Sequence, residues 1–218
     1  MKVINSALQK KHGTTDKYLH YFDAFEFHFS TFKKYQLNLL EIGIQDGGGL
    51  WTWEDYFPNG DIYGIDVDPN CKKYEGDRVK IFIGSQDDEM FLQTISAKIG
   101  GLDIVIDDGG HTMHQQLVSF KTLFPLMNDG GIYVIEDLHT SYWPQFGGML
   151  KSENTCIGFL KSLVDKLNWW AIRSQRAEPF RSYDDLDLFE KSIKSLHFYD
   201  SLCFIYKNQV EHPKRLRL

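Results

Sequence analysis

Short apolar runs rich in β-branched residues alternate along the chain with stretches that have helical periodicity. The apolar runs span residues 37–43, 61–67, 78–84, 102–107 and 131–137. The helix-like stretches between them cover residues 49–57, 89–99 and 114–127. Nearly continuous apolar strands that alternate with helices are typical of a parallel sheet covered on both faces. We therefore predict an α/β fold with right-handed crossovers.

The last quarter of the chain has a different pattern. Residues 195–200 and 202–208 have strand-like sequences separated only by Ser201, so we expect them to pair as an antiparallel hairpin. The sheet would then have seven strands, mostly parallel, with helices on both faces. Residues 16–35 are expected to form a helix packed on the sheet. Residues 140–158, which contain a proline and paired glycines, are expected to form a long loop.

The composition indicates a soluble globular protein. Of the 218 residues, 42% are apolar and 25% are charged, which fits one domain with a sizeable core. The 24 basic and 30 acidic residues give a net charge of −6, which argues against nucleic acid as the main partner. The N-terminus lacks the apolar core of a signal peptide, and no run approaches the ~18 apolar residues of a membrane span.

The cysteines add to this picture. Cys71, Cys156 and Cys203 lie far apart and form no CxxC pair. A sparse, odd count fits a reducing compartment better than a disulfide framework. We therefore expect a cytoplasmic protein without a membrane span.

The first predicted strand closes with a glycine-rich turn, EIGIQDGGG, which begins at Glu41. Glycines at positions 43, 47, 48 and 49 would let the backbone approach a ligand closely before a helix begins. Tight strand–helix turns also use glycine without any ligand. Gln45 occupies the second glycine position of a dinucleotide-binding G-x-G-x-x-G motif, which weakens that interpretation.

Polar residues follow the second and third strands as well. Asp66 lies 25 residues after Glu41, where an acid can accept hydrogen bonds from the two hydroxyls of a ribose. NAD and S-adenosylmethionine both carry such a ribose. Ser85 and Gln86 end the third strand, and their side chains can bond an adenine edge. The alternative for all three is a turn or helix-capping role.

The fourth and fifth strands end in acids. Asp108 follows strand four, and Glu136 and Asp137 follow strand five, 28 and 29 residues later. Neighbouring parallel strands bring these carboxylates together, and their mutual repulsion would be relieved by an oxygen-preferring divalent ion such as Mg²⁺. His111, three residues after Asp108, could take a proton from a metal-polarised alcohol. Asp107 would face the cofactor side or the core.

The chain resembles class I S-adenosylmethionine-dependent methyltransferases of the metal-dependent O-methyltransferase type. Within them it is most similar to sugar O-methyltransferases of macrolide and other glycosylated natural-product pathways. The resemblance covers residues 12 to about 165 and is carried by HGTTDK, LEIGIQDGGGLWTWEDYFPNGDIYGIDVDP, IVIDDGGH and GGIYVIEDLHTSYWP. It implies a Rossmann-like fold in a single domain, 1–218, with an N-terminal helical cap (1–35) and an acceptor-site loop (139–158).

The resemblance also implies roles for individual residues. The cofactor S-adenosylmethionine would be bound by Glu41, Gly43, Gly47, Asp66, Ser85, Gln86 and Asp107. The metal ligands would be Asp108, Glu136 and Asp137, with His111 as the general base. Catechol enzymes carry lysine at that last position and sugar enzymes carry histidine.

The acceptor would be a small molecule or glycan with a free sugar hydroxyl. Three residues that follow the fifth strand would contact the acceptor: His139, Tyr142 and Trp143. The resemblance leaves association into a homo-oligomer open. The sugar enzymes also carry a large extra N-terminal region, so parts of their acceptor pocket are expected to differ here.

Three other functions fit parts of the same pattern. Cephalosporin-hydroxylase-like proteins, described as oxygenation components, share these strand ends. An NAD-dependent oxidoreductase could use the same glycine turn. A non-catalytic cofactor-binding scaffold is the third, although a scaffold has no need of a metal and a base together.

Overall fold

The computed structural model describes residues 2–9, 13–174 and 183–217. One seven-stranded sheet runs through it, in the order β3-β2-β1-β4-β5-β7-β6. Its strands are β1 (Leu37–Ile42), β2 (Gly60–Asp66), β3 (Val79–Ile83), β4 (Leu102–Asp107), β5 (Met127–Ile135), β6 (Ile193–Tyr199) and β7 (Leu202–Lys207). Strands β1 to β5 are parallel to one another. Strand β7 pairs antiparallel with both β5 and β6. The predicted mixed sheet with a C-terminal hairpin is confirmed.

Helices cover both faces of the sheet. They are α1 (Val3–Ala7), α2 (Leu19–Phe29), α3 (Gly48–Tyr56), α4 (Glu89–Ile99), α5 (Met113–Leu123), α6 (Cys156–Leu167), α7 (Trp169–Ser174) and α8 (Leu188–Ser192). Alternate residues of β1 enter different cores, Leu39 with α1 to α3 and Leu40 with α4 to α6. This follows from the two-residue period of a strand buried on both faces. No helix in the described part of the chain is long and apolar enough to cross a lipid bilayer.

Two segments differ from the predicted elements. The helix expected over 16–35 begins only at Leu19, because residues 14–18 have no regular secondary structure, and a short 3-10 helix (30–34) follows it. The loop expected over 140–158 contains short 3-10 helices and ends at Thr155, whose side chain accepts a hydrogen bond from the Gly158 N–H and caps α6. Residues 14–17 border the cavity described next.

The strand order reverses between β1 and β4. Loops on either side of such a switch point diverge and leave a crevice at the carboxyl ends of the strands. The glycine turn, Asp66, Ser85 and Asp108 all follow strands at this edge of the sheet. The fold therefore places these residues around a common opening.

Candidate active site

A cavity of about 530 Å³ opens at the carboxyl ends of the parallel strands, within the usual size range of small-molecule sites. Five segments supply most of its wall: 14–17, 41–45, 65–67, 84–86 and 108–111. Gly49, Gln115 and Asp137 complete it. One end carries the glycine turn and the other carries acids and an imidazole. Most residues predicted for cofactor binding and for metal-assisted proton transfer thus line one cavity; Gly47, Asp107 and Glu136 do not.

The glycine turn brings backbone against a buried acid. A Cβ atom at Gly49 would lie 2.3 Å from Glu41 Oε1, so only glycine fits there. Gly43 lines the cavity, whereas Gly47 is the N-cap residue before α3 and lies against the ring of Tyr74. The Gln45 backbone is in the left-handed region, with φ 48°, which any residue but glycine adopts at a cost.

Glu41 is the most unusual acid at this end of the cavity. It is buried, and its Oε1 accepts a hydrogen bond from the Trp53 indole at 3.0 Å. Its Oε2 accepts no hydrogen bond from the described residues. Burial raises the pKa of Glu41 to about 7, despite the nearby Lys17 ammonium. An unsatisfied buried oxygen of this kind calls for a donor from a ligand.

Asp66 fixes the shape of the glycine turn. Its carboxylate accepts hydrogen bonds from the backbone N–H groups of Ile44 at 2.8 Å, Gln45 at 3.2 Å and Asp68 at 2.9 Å. Burial alone would raise the pKa of Asp66, but these backbone donors outweigh it and lower the pKa. Asp66 also lines the cavity, so it shapes the turn and borders the opening at the same time.

Ser85 and Gln86 line the cavity, but their side chains already have partners. Ser85 donates to Asp87. The Gln86 amide donates to Asp107 at 3.0 Å and accepts from the Gly110 N–H at 2.7 Å. Gln86 therefore joins the end of β3 to the glycine pair after β4, which is a structural role that the sequence did not indicate.

Asp107 lies in the core and does not line the cavity. It has no exposed surface, and three side chains donate hydrogen bonds to it: Gln86, Ser119 and Tyr133. Burial raises its pKa to about 6. Of the two orientations expected for Asp107, the structure has the one that faces the core. Asp107 lies on the same face of β4 as the buried Val105.

Asp108, His111 and Asp137 come together at the other end of the cavity. One ligand atom from each lies within 4.8 Å of the others. His111 Nε2 is 3.8 Å from Asp108 Oδ1 and 3.6 Å from Asp137 Oδ2. His111 Nδ1 is buried and has no hydrogen-bond partner among the described residues. Two carboxylates and an imidazole form a donor set that suits a divalent ion.

Glu136 is buried next to this cluster and pairs with a lysine that the sequence did not single out. Lys17 Nζ lies 2.7 Å from Glu136 Oε1, 2.6 Å from Asp108 Oδ2 and 3.8 Å from Glu41 Oε1. Burial opposes the charge on Lys17, but the three acids outweigh it and raise its pKa. Burial and the Asp108 charge raise the pKa of Glu136. One ammonium thus faces an excess of negative charge, which a divalent ion would balance.

A local signal for Lys17 was present in the sequence. It is the last residue of HGTTDK, a motif that carries the family resemblance. Its partner Glu136 lies 119 residues away, so the pairing itself is invisible without the fold. His12, the first residue of the motif, lies outside the described residues.

His139, Tyr142 and Trp143 follow Asp137 on a 3-10 helix, Leu138–Tyr142, and its cap. The His139 and Trp143 rings pack edge to face, with centroids 4.6 Å apart. The neighbouring Thr140 hydroxyl donates to the His111 carbonyl at 3.0 Å. None of the three aromatic side chains lines the main cavity. Tyr142 and Trp143 are 39% and 44% exposed, which leaves apolar rings on the surface beside the acid end.

Comparison with known proteins gives a consistent set of relatives. The 8-demethyl-8-alpha-L-rhamnosyl tetracenomycin-C 2'-O-methyltransferase of Streptomyces olivaceus is 37% identical, over 93% of this chain and 54% of its own length. The mycinamicin VI 2''-O-methyltransferase of Micromonospora griseorubida is also 37% identical, over 88% of this chain and 49% of its own length. No family model matches the chain.

A solved structure agrees with these relatives. The MycE methyltransferase of the mycinamycin biosynthetic pathway, in complex with Mg and SAH, superimposes with a TM-score of 0.82 at 33% identity. The match covers 95% of this chain and 54% of that one. The chain thus spans about half the length of the relatives it matches. Over the aligned region, the chain belongs to the class I S-adenosylmethionine-dependent methyltransferases, in the group of sugar O-methyltransferases.

Proposed function

We propose that this chain transfers the methyl group of S-adenosylmethionine to a sugar hydroxyl of a glycosylated metabolite, with the help of a divalent ion. The observation that carries the proposal is the juxtaposition, in one cavity, of a glycine turn around Glu41 with an acid–imidazole cluster. The relatives named above are sugar O-methyltransferases. The MycE structure contains SAH, the product form of the methyl donor, together with Mg.

The cofactor end of the cavity suits S-adenosylmethionine. Its methionine ammonium would donate to Glu41 Oε2, the buried oxygen that accepts no hydrogen bond from the described residues. The turn around Gly43 and Gly47 would lie against the methionine portion. Asp66 would accept from the ribose hydroxyls and Ser85 would face the adenine. Gln86 would serve as wall, because its amide is already bonded at both ends.

The acid end suits a divalent ion, most simply Mg²⁺. Asp108, Glu136 and Asp137 would hold it, which supplies the positive charge that Lys17 alone does not provide. When bound, the ion would polarise the acceptor hydroxyl, and S-adenosylmethionine would supply the electrophilic methyl group. The carboxylate oxygens and the geometry of a shared strand edge, β4 next to β5, favour this assignment.

His111 is the group that we assign as general base. Its Nε2 faces both aspartates, so it is the ring nitrogen that would accept the proton of the acceptor hydroxyl. The oxygen would then attack the methyl carbon, and the sulfur would keep the electron pair as the thioether of S-adenosylhomocysteine. Alignment of oxygen, carbon and sulfur in one cavity supplies much of the acceleration.

The acceptor would lie over the rim formed by His139, Tyr142 and Trp143. Exposed aromatic rings can pack against the apolar face of a sugar ring. Their position directly after Asp137 puts them next to the proposed metal ligands. A glycosylated small molecule fits this open rim, and mycinamycin VI is bound in one of the MycE structures.

Calorimetry separates this proposal from the dinucleotide alternative. We expect S-adenosylhomocysteine to bind the full chain in the presence of Mg²⁺ and NADH to give no binding heat. A Glu41→Gln variant should weaken S-adenosylhomocysteine, because it replaces a charged acceptor in a buried site. If NADH binds and S-adenosylhomocysteine does not, the methyltransferase proposal is rejected.

A further inference from the structure

The chain before α2 lies directly on the glycine-rich turn. We define residues 13–21 as the crossing segment: an irregular stretch beside the cavity at the carboxyl ends of the strands, then the first residues of α2. A Cβ atom at Gly13 would lie 1.9 Å from the Asp46 carbonyl oxygen, and one at Gly48 would lie 2.3 Å from the Thr14 carbonyl oxygen. These backbone contacts fix the crossing segment against the cavity.

Two side chains of the crossing segment reach the acids at the far end of that cavity. Lys17 Nζ lies 2.6 Å from Asp108 Oδ2 and 2.7 Å from Glu136 Oε1. Four residues later, on the first turn of α2, the Tyr21 hydroxyl donates to Asp137 Oδ1 at 2.9 Å. Both Lys17 and Tyr21 are buried, with 4% of the lysine side chain and 1% of the tyrosine exposed.

The contacts divide the carboxylate oxygens between two sides. Asp108 Oδ2 and Asp137 Oδ1 bond the crossing segment. The other oxygens, Asp108 Oδ1 and Asp137 Oδ2, face His111. In each carboxylate, one oxygen therefore accepts a hydrogen bond from the crossing segment, and the other oxygen faces His111 and the cavity. Outer hydrogen bonds of this kind orient metal ligands and keep them ready for an ion.

We propose that Lys17 and Tyr21 are positioning residues, which orient Asp108, Glu136 and Asp137 for a divalent ion and couple that site to the glycine turn. This inference rests on the proposed function only in assuming that the ion binds these acids. Lys17 also has an electrostatic role. Its ammonium lies between Asp108, Glu136 and Glu41, whose negative charges would otherwise repel one another.

The Tyr21→Phe variant tests the orienting contact. It removes one hydroxyl and keeps the buried ring, so the chain should fold. We expect Mg²⁺ titrated calorimetrically into the metal-free full chain to bind about 10-fold or more weakly than to the wild type. Affinity for S-adenosylhomocysteine should change little, because Tyr21 does not line the cavity.

Tyr56→Phe is the matched control. Its hydroxyl donates to Glu26 at 3.1 Å, a buried tyrosine–carboxylate bond of the same type away from the cavity. Its Mg²⁺ affinity should equal that of the wild type. Equal affinity in Tyr21→Phe would overturn the inference and leave the proposed function standing. A wild type that binds S-adenosylhomocysteine but no Mg²⁺ would overturn the metal assignment as well.

Lys17→Met tests the charge. Without Mg²⁺ its unfolding temperature should fall, because three buried acids lose their counter-charge. Added Mg²⁺ should raise that temperature less than it does in the wild type, since the acids that Lys17 holds together bind the ion more weakly when it is absent. Lys33→Met, which removes a lysine that faces Glu26 at 3.9 Å, should show the wild-type response. An equal Mg²⁺ response in Lys17→Met would refute the charge role.

Discussion

His111 is held in a strained backbone conformation beside the two aspartates. Its φ of 56° lies in the left-handed region, which costs a non-glycine residue about 1–3 kcal/mol. The Thr140 hydroxyl bonds its carbonyl, and the Gly110 N–H before it bonds Gln86. The surroundings thus impose a backbone turn that returns the imidazole to the acids, which agrees with a functional role.

The geometry allows His111 two roles, base or metal ligand, and one variant distinguishes them. As a base, its loss in His111→Ala should lower kcat by about 10²–10⁴-fold while Mg²⁺ and S-adenosylhomocysteine bind as before. Steady-state kinetics and calorimetry measure these quantities. His114→Ala, an exposed histidine on the next helix, should behave as wild type. Loss of Mg²⁺ binding in His111→Ala would make His111 a ligand instead.

His28 gives a pH prediction away from the active site. It is buried between two tyrosine hydroxyls, with Nδ1 2.7 Å from Tyr206 and Nε2 2.9 Å from Tyr199. Burial, with a further effect of His197, lowers its pKa from 6.5 to about 4. The depressed pKa means that neutral His28 favours the folded state above pH 6.5. That stability is lost as the pH falls toward 4.

An NMR titration of the His28 ring measures this directly. We expect a midpoint near pH 4 in the folded protein, together with falling stability in denaturant titrations between pH 6.5 and 4. A His28 midpoint near 6.5 would contradict the buried, neutral ring.

At the scale of elements, the start of α5 matters most because it directly follows His111. Thr112 caps this helix: its hydroxyl accepts from the Gln115 N–H at 3.3 Å, and the Gln115 side chain accepts from the Thr112 N–H at 3.4 Å. This reciprocal cap satisfies two backbone donors at the helix terminus. It also fixes the direction in which the chain leaves His111.

Loss of this cap should affect both stability and catalysis. Thr112→Ala is expected to cost about 1 kcal/mol of unfolding free energy, measured by denaturant titration, and to lower kcat by disturbing His111. Thr155→Ala removes the equivalent cap of α6 and should cost a similar amount with little change in kcat. Equal kcat values for Thr112→Ala and wild type would show that the cap does not position the base.

The sequence predicted elements best where apolar periodicity and helix ends were both clear. Residues 89–99 and 102–107 match α4 and β4, because Asp88 caps the helix and Gly100 ends it. The helix predicted over 114–127 stops at Leu123 instead, since Pro125 cannot continue an α-helix and a 3-10 turn replaces it. Helix α6 was missed because glycines and a proline precede it.

The site could be predicted only as far as strand ends reveal it. Parallel neighbours place Asp108 near Asp137, and that closeness follows from the alternating pattern alone. The contacts of Lys17 and Tyr21 with these acids join residues 91 to 119 positions apart. No local pattern encodes such distances. They depend on how the crossing segment packs on the glycine turn.

At the scale of the whole molecule, the fold joins two chemical environments through one cavity. Carboxylates gather at a switch point of the sheet in a chain whose net charge is already −6. This arrangement favours a cation in the site and a neutral or hydroxyl-bearing acceptor. The sugar O-methyltransferases named above match this chain over only about half of their own length.

The most direct test of the central claim is transfer of a labelled methyl group from S-adenosylmethionine to a panel of deoxysugar glycosides, followed by mass spectrometry. A metal-dependent sugar O-methyltransferase would place the label on a sugar hydroxyl, form S-adenosylhomocysteine, lose transfer with EDTA and recover it with Mg²⁺. His111→Ala should transfer almost none. Two results would contradict a metal-dependent sugar O-methyltransferase. One is that no sugar hydroxyl in the panel is labelled; the other is that transfer with EDTA and transfer by His111→Ala both equal that of the untreated wild type.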